Sequence, residues 1–185
     1  MLKIVTGNQG KFQAAISYLS KYKIVAEQVK LSLIEPQGED VEEIALFKAD
    51  QAFSQLKEPI VVMDSGWSIT ALNGFPGPYM HSLMEWFTLE DLMNLMKGKT
   101  DKSIVLQNYA CYKDAEQTKI FSRKLVGIIK SEPAGEGNMI DKIVSFRKDL
   151  KTIAECDALN LPMADENSDI SQWEKLAIWL SSKTK

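Results

Sequence analysis

Histidine is nearly missing from this 185-residue chain, where His81 is the only one, and cysteine is limited to Cys111 and Cys156. One imidazole rules out multi-histidine metal centres and leaves little footing for a Ser-His-Asp triad. The cysteines have no CxxC spacing and no histidine nearby, which argues against zinc and, in a reducing compartment, against a disulfide. Both are expected to serve packing. Long apolar runs are missing too: stretches such as Ile60 to Met63 fall far short of the ~20 residues that cross a bilayer. The opening Met1-Leu2-Lys3-Ile4-Val5 runs into a turn without the basic, apolar and small-residue regions of a secretory signal, so a cytoplasmic location is expected. An excess of positive charge is also lacking. With 22 Lys+Arg against 25 Asp+Glu the formal net charge is −3, whereas binding to nucleic-acid polymers or anionic membranes draws on a strong surplus of cations. Any chemistry must come from carboxylates, lysines, hydroxyls and backbone N–H groups, an inventory suited to a polyanion handled with a hard divalent cation.

What is present reads as an ordinary globular chain, 45% hydrophobic and 25% charged. A single domain over residues 1–185, with two lobes, is expected. Leu2 to Val5 predicts a short strand closed by Thr6-Gly7-Asn8, and Phe12, Ala15, Ile16 and Leu19 then recur at helical spacing. Ile24 to Val29 reads as a second strand, and Glu35-Pro36-Gln37-Gly38-Glu39 as a loop. Val41, Ala45, Ala49, Ala52 and Leu56 keep a helical period that returns the chain to a buried strand, Ile60 to Met63. The alternation Trp67, Ile69, Ala71 suggests extended chain, and Thr88 with Asp91 opens a helix that closes near Gly98. Ile104–Tyr112 and Lys119–Ile129 form a long hairpin, Ile143 to Phe146 is a weak strand, and Ile170, Trp173, Leu176, Ala177 and Leu180 mark a C-terminal amphipathic helix. The fold class is mixed α/β, with a central twisted sheet and flanking helices.

The sharpest local signal is Thr6-Gly7-Asn8-Gln9-Gly10-Lys11, between a strand and a helix. If Gly7 takes a positive φ, successive N–H groups curl into an anion nest at the helix N-terminus, with Lys11 adding charge. The segment is not a Walker A loop, since two residues separate its glycines and Phe12 follows the lysine. Asp64 ends a buried strand and precedes Ser65-Gly66; if that strand runs parallel to the first, Asp64 and Thr6 share the end of the sheet where ligands gather. Glu35, in a loop, is a third candidate, with Glu39, Asp40, Glu42 and Glu43 as competitors: two carboxylates from separate loops can hold Mg²⁺ while phosphate and water complete the octahedron. Lys48 lies near the apolar stripe of its helix, about 60° round from Ala45, and either reaches phosphate or snorkels past the core edge.

Together these residues resemble the house-cleaning inosine/xanthosine triphosphate pyrophosphatases, the Ham1-like proteins. Thr6-Gly7-Asn8-Gln9-Gly10-Lys11 is similar to that family's T-G-N-x-x-K opening, Asp64-Ser65-Gly66 to its D-[ST]-G element, and Gly74-Phe75-Pro76-Gly77-Pro78-Tyr79 to its G-x-P-G-x-Y. The likeness is good over residues 1 to about 137 and loose beyond. It implies an elongated, two-lobed α/β fold with a central cleft, usually a homodimer, and Mg²⁺-dependent cleavage between the α and β phosphates to a nucleoside monophosphate and pyrophosphate. Carried over, Thr6, Gly7, Asn8, Lys11, Lys48, Ser65 and Gly66 contact the substrate, Glu35 and Asp64 serve the metal, Asp64 is the base, and Lys11 joins it in catalysis by stabilising the leaving pyrophosphate.

Three departures stand out. Met63 replaces a second acid before Asp64; Gly137-Asn138-Met139-Ile140-Asp141-Lys142 lacks the aromatic and proline of a base-holding segment; and Ser171-Gln172-Trp173 replaces a Ser-His-Arg associated with purine keto groups, with Asn167 at the place of an upstream lysine. The phosphate end is retained and the base end is rewritten. Aberrant purine triphosphates such as ITP, XTP and dITP are the expected substrates. The alternatives are a paralogue for another modified or pyrimidine nucleotide, with Met139, Gln172 or Trp173 shaping the pocket, and a nucleotide-binding sensor with weak turnover.

Overall fold

A computed structural model describes residues 1–165 and 169–183, which divide into two compact units. The first comprises Met1–Ser65, Asn108–Arg123 and Ile170–Lys185, and the second Gly66–Gln107 and Lys124–Asp169. The class is mixed α/β.

In the first unit the chain runs β1 (Leu2–Val5), α1 (Gln9–Leu19), β2 (Ala26–Val29), α2 (Val41–Leu56) and into β3 (Ile60–Ile69). β1 pairs in parallel with β2, Leu2 opposite Ala26 through Val5 opposite Val29. It also pairs in parallel with β3, Lys3 opposite Ile60 through Val5 opposite Val62. β1 is mostly buried, β2 at the sheet edge is half-buried, and the two-residue period sorts the side chains of β1 and β3. Leu2, Ile4 and Val61 join Ala15 and Leu19 of α1, and Trp173, Leu176 and Ala177 of the C-terminal helix α6 (Gln172–Lys183), in one core. Val5, Ile60 and Val62 join Val41, Ala45, Ala49 and Ala52 of α2 in another. Both faces are therefore covered, by α1 and α6 on one side and α2 on the other.

The same parity determines what happens beyond the apolar run. Asp64 continues the series Ile60, Val62 toward the α2 side, while Met63 continues Val61 toward α6. β1 has β2 on one flank and β3 on the other, so the crossover through α1 moves outward to β2 and the one through α2 runs back past β1 to β3. The switch point of the sheet is then the carboxyl end of β1 and the stretch of β3 just past Val62, where ligands bind in open α/β folds.

The long strands β5 (Ser103–Lys113) and β6 (Thr118–Ile129) contribute to both units, and the sheet order is β2-β1-β3-β5-β6-β7, with β7 at Val144–Ser145 and β4 (Pro76–Gly77) pairing with β3. The second unit has its own core of Ile69, Leu83, Leu92, Met96, Ile104, Leu125, Ile129, Ile143 and Phe146. Within it Gly127 allows close packing: a Cβ there would sit 2.3 Å from the Ser145 carbonyl oxygen.

Several expectations are refined. β3 is one ten-residue strand, and Asp64 lies within it. The C-terminal helix starts at Gln172. Thr88 and Asp91 do form a capping box, opening α4 (Leu89–Leu95). Two helices were not anticipated, α3 (Met80–Trp86) and α5 (Ile153–Ala158), and the second carries a legible T-x-x-E capping box, Thr152 with Glu155. The cysteines are free and buried, as expected. No helix among the described residues is long and apolar enough to cross a membrane.

Candidate functional site

Thr6 leaves β1 with its N–H still bonded to the Val29 carbonyl at 3.0 Å, and Gln28 donates to the Thr6 carbonyl at 3.0 Å, so the exit from the strand is held in line with β2. The Thr6 hydroxyl then accepts from the Asn8 N–H at 3.1 Å, and the Asn8 carboxamide oxygen caps α1 by accepting from the Lys11 N–H at 3.0 Å. This is a side-chain-capped helix start. The expected positive φ at Gly7 does not occur, because the turn is closed by the Thr6 and Asn8 side chains and needs no left-handed residue. Gly7 is nonetheless open: a Cβ there would meet nothing within 4 Å. Backbone is thereby left bare at the mouth of α1, where N–H groups and the helix dipole favour an anion.

Asp64 is only 8% exposed, and both its oxygens are engaged. The Ser65 N–H donates to Oδ1 at 2.9 Å and Lys48 Nζ to Oδ2 at 2.9 Å. Lys48 projects from α2, and its ammonium also donates to Glu35 Oε1 at 3.3 Å. One cation thus ties together carboxylates from a strand and a loop. Burial alone would lower the Lys48 pKa, but the charges and hydrogen bonds of Asp64 and then Glu35 outweigh it and hold the pKa above the ordinary lysine value. The snorkelling alternative for Lys48 is not what occurs.

Lys11 has the opposite balance. Burial depresses its pKa, Asp64 pulls it back up, Lys48 pushes it down and Glu35 raises it, with a net shift downward. Among the described residues no carboxylate forms an ion pair or hydrogen bond with this ammonium. A partly desolvated cation without a partner costs stability and is poised for an external anion.

The structure therefore brings Thr6, Asn8, Lys11, Glu35, Lys48, Asp64 and Ser65 into the first unit, with Lys11, Glu35, Lys48 and Asp64 in electrostatic contact. Gly66 belongs to the second unit. Among the described residues no group of three or more His, Cys, Asp or Glu is arranged to hold a metal; the acidic donors here are the two carboxylates that converge on Lys48. Of the competitors, Asp40 caps α2 through the Glu42 and Glu43 N–H groups, and Glu42 and Glu43 lie in that helix's first turn.

The departures also take their places. Met63 Sδ receives the Gln172 amide at 3.7 Å, so two departures touch one another on the α6 side of β3. Gln172 Oε1 and the indole N–H of Trp173 are buried without partners, and Trp173, 2% exposed, belongs to the core. Trp86, by contrast, is 77% exposed. Asp141 lies in the second unit, its pKa raised by burial and then by Asp157, with Asn138 bonded to its carboxylate. Asn167 lies outside the described residues. Sequence reading missed Gln28, and it missed Gln51, whose carboxamide holds the Ile34 backbone beside Glu35. Its position three residues after Lys48, on the same helical face, was the available signal.

A strand-parity switch point carrying a capped helix start, two lysines and two carboxylates defines an α/β protein with a polyanion-type site. Solved structures share the fold: a HAM1 protein from Coxiella burnetii aligns at a TM-score of 0.82 with 22% identity, over 98% of this chain and 100% of that one. The Staphylococcus aureus Ham1 protein aligns at 0.78 and 22%, over 99% and 100%. A model of the Ham1 family matches residues 2–171, and the chain belongs to that family. Curated relatives include a dITP/XTP pyrophosphatase of Methanopyrus kandleri, 35% identical over 132 residues (71% of this chain, 70% of the relative). Another, from Methanosarcina mazei, is 34% identical over 134 residues (72% and 73%).

Proposed function

We propose that this chain is a Mg²⁺-dependent nucleoside triphosphate pyrophosphohydrolase that converts aberrant purine nucleotides of the dITP/XTP type to the monophosphate and pyrophosphate. The observation that carries the reading is the Asp64–Lys48–Glu35 bridge with Lys11 beside it, an ammonium that no carboxylate among the described residues bonds. Family membership and the names of the relatives supply the reaction and the substrate class.

The donor set fits the metal. Mg²⁺ takes hard oxygens and usually keeps only one or two carboxylates, leaving the remaining positions to phosphates and water. Asp64 and Glu35 are such a pair, already converging on one cation. When bound, the metal would neutralise phosphate charge and lower the barrier to water attack. The protein's own part is distinct. Asp64, its Oδ1 oriented by the Ser65 N–H, takes the proton of the attacking water. The Asn8-capped start of α1, with the bare backbone at Gly7, receives phosphate oxygens. Lys11 gains the partner it lacks, and Lys48 turns from the carboxylates to the polyphosphate, both opposing charge on the leaving pyrophosphate.

One observation favours the second reading, a paralogue with another base preference: Gln172 and Met63 contact each other where two departures fall, and Trp173 is withdrawn into the core. The family likeness also brings a homodimer, for which the exposed Trp86, Tyr79 and Phe75 of the second unit offer apolar surface. A panel of dITP, XTP, ITP, dUTP, ATP and GTP with Mg²⁺, read for pyrophosphate and monophosphate, tests the assignment. Pyrophosphate release strongest with dITP or XTP is the expected result, and chelation with EDTA should abolish it. Orthophosphate as the product, or no cleavage of any nucleotide, would overturn the activity; preference for a pyrimidine would select the paralogue.

A further inference from the structure

The loop that carries Glu35, residues 30–40, has no strand or helix of its own. Leu31 and Leu33 pack against the α2-side core, but Ile34 is 71% exposed, so apolar burial stops one residue short of the acid. What holds the chain there is Gln51 of α2. Its carboxamide NH₂ donates to the Ile34 carbonyl at 2.7 Å, and its oxygen accepts from the Ile34 N–H at 2.9 Å. Both polar groups of one peptide-like amide are matched to both backbone groups of a single residue, as a neighbouring strand would match them. Gln51 follows Lys48 by three positions, so the two side chains rise from one face of α2 and grip consecutive residues, Ile34 by its backbone and Glu35 by its carboxylate.

From this geometry we infer that Gln51 is a positioning residue, which fixes Glu35 beside Asp64 and thereby sets the affinity of the site for its divalent cation. The inference rests on the proposed function for the identity of the cation, while the clamp itself is made by protein groups alone. Glu35 is exposed, with 66% of its side chain accessible, and its bond to Lys48 is long at 3.3 Å. A carboxylate held so loosely by its own contacts depends on the backbone that presents it. Without the clamp, the loop would sample positions from which Glu35 cannot reach a cation on Asp64, and binding would carry the cost of ordering it.

The test compares Gln51→Leu, which removes both bonds, with Gln51→Glu, which keeps an acceptor for the Ile34 N–H but loses the donor. Three measurements are made on the full-length protein: amide hydrogen exchange at residues 33–36 without metal, Mn²⁺ binding by electron paramagnetic resonance without nucleotide, and Mg²⁺ dependence of dITP hydrolysis. For Gln51→Leu, faster exchange at Ile34 and a rise of about tenfold in both the Mn²⁺ dissociation constant and the half-activating Mg²⁺ concentration are expected, with kcat at saturating Mg²⁺ little changed. Gln51→Glu should fall between Gln51→Leu and wild type. In a Glu35→Gln background, Gln51→Leu should add nothing further to the loss of metal affinity. Unchanged Mn²⁺ binding in Gln51→Leu, or full additivity with Glu35→Gln, would overturn the inference. Failure of the wild type to hydrolyse any nucleotide would instead remove the proposed function, leaving the exchange and Mn²⁺ measurements to judge the clamp.

Discussion

At the scale of single residues, the pKa values of the site's two lysines move in opposite directions, and the difference is measurable. Lys48 has carboxylate partners that raise its pKa; Lys11 has none bonded to it among the described residues, and burial lowers its pKa below the ordinary 10.5. Between that lowered pKa and the ordinary one the unfolded chain binds more protons than the folded chain, so stability rises with pH there, and below it the penalty of burying the charge is fully present. Lys11→Met should therefore raise Tm at pH 7, by about 2 °C, while activity is lost, a trade of function for stability. The same lowered pKa should appear as a falling alkaline limb of kcat/KM below the ordinary lysine range, moved to higher pH by Lys11→Arg. Asp64→Asn keeps the shape of the side chain but not its basicity. It should reduce kcat by about 10²–10⁴-fold with an unchanged far-UV circular dichroism spectrum, and near-normal turnover would remove Asp64 from the role of base.

At the scale of elements, caps and close approaches carry the energetics. The Asn8 carboxamide oxygen serves the Lys11 N–H at the start of α1. Asn8→Ala should cost about 1 kcal/mol of stability in urea unfolding and raise KM for the triphosphate, because the turn it closes is also the proposed phosphate seat. In the second unit Gly127 is pressed against the neighbouring strand, with the Ser145 backbone oxygen and the Phe146 ring atom Cδ1 at 2.3 and 2.6 Å from where a Cβ would stand. The strand must move for any side chain to enter, so Gly127→Ala should destabilise by about 2–3 kcal/mol in urea unfolding. The elements with strong local signals are those the sequence discloses: β1, α1 and α2 through hydrophobic period, and α4 through Thr88 and Asp91. α3 and α5 are short, seven and six residues, too few turns for a period to stand out.

At the scale of the molecule, two units with separate cores share one chain, and the candidate site lies in the first. A ligand that binds only the folded site should stabilise it by mass action. A non-hydrolysable dITP analogue with Mg²⁺ at about one hundred times its Kd should add about 2.7 kcal/mol, and Lys11→Met should erase most of that gain. Calorimetry with and without EDTA measures it.

The sequence by itself determined the mixed α/β class, the strand-turn-helix at Thr6 to Lys11, the family likeness and the place of Asp64 just past the apolar run of its strand, because these depend on local spacing and on short motifs. The tertiary structure decided what pairwise distance alone can decide. It made Lys48 a bridge between Glu35 and Asp64, left Lys11 without a partner, replaced the expected positive φ of Gly7 by a side-chain cap, and set Gln51 against Ile34. It also turned Met63 and Asp64, neighbours in sequence, to opposite faces of one strand, one toward Gln172 and the other toward Lys48. The physical reason is the same throughout: periodicity says which way a side chain points, and only the packing of α2, α6 and the 30–40 loop onto the sheet says what it meets.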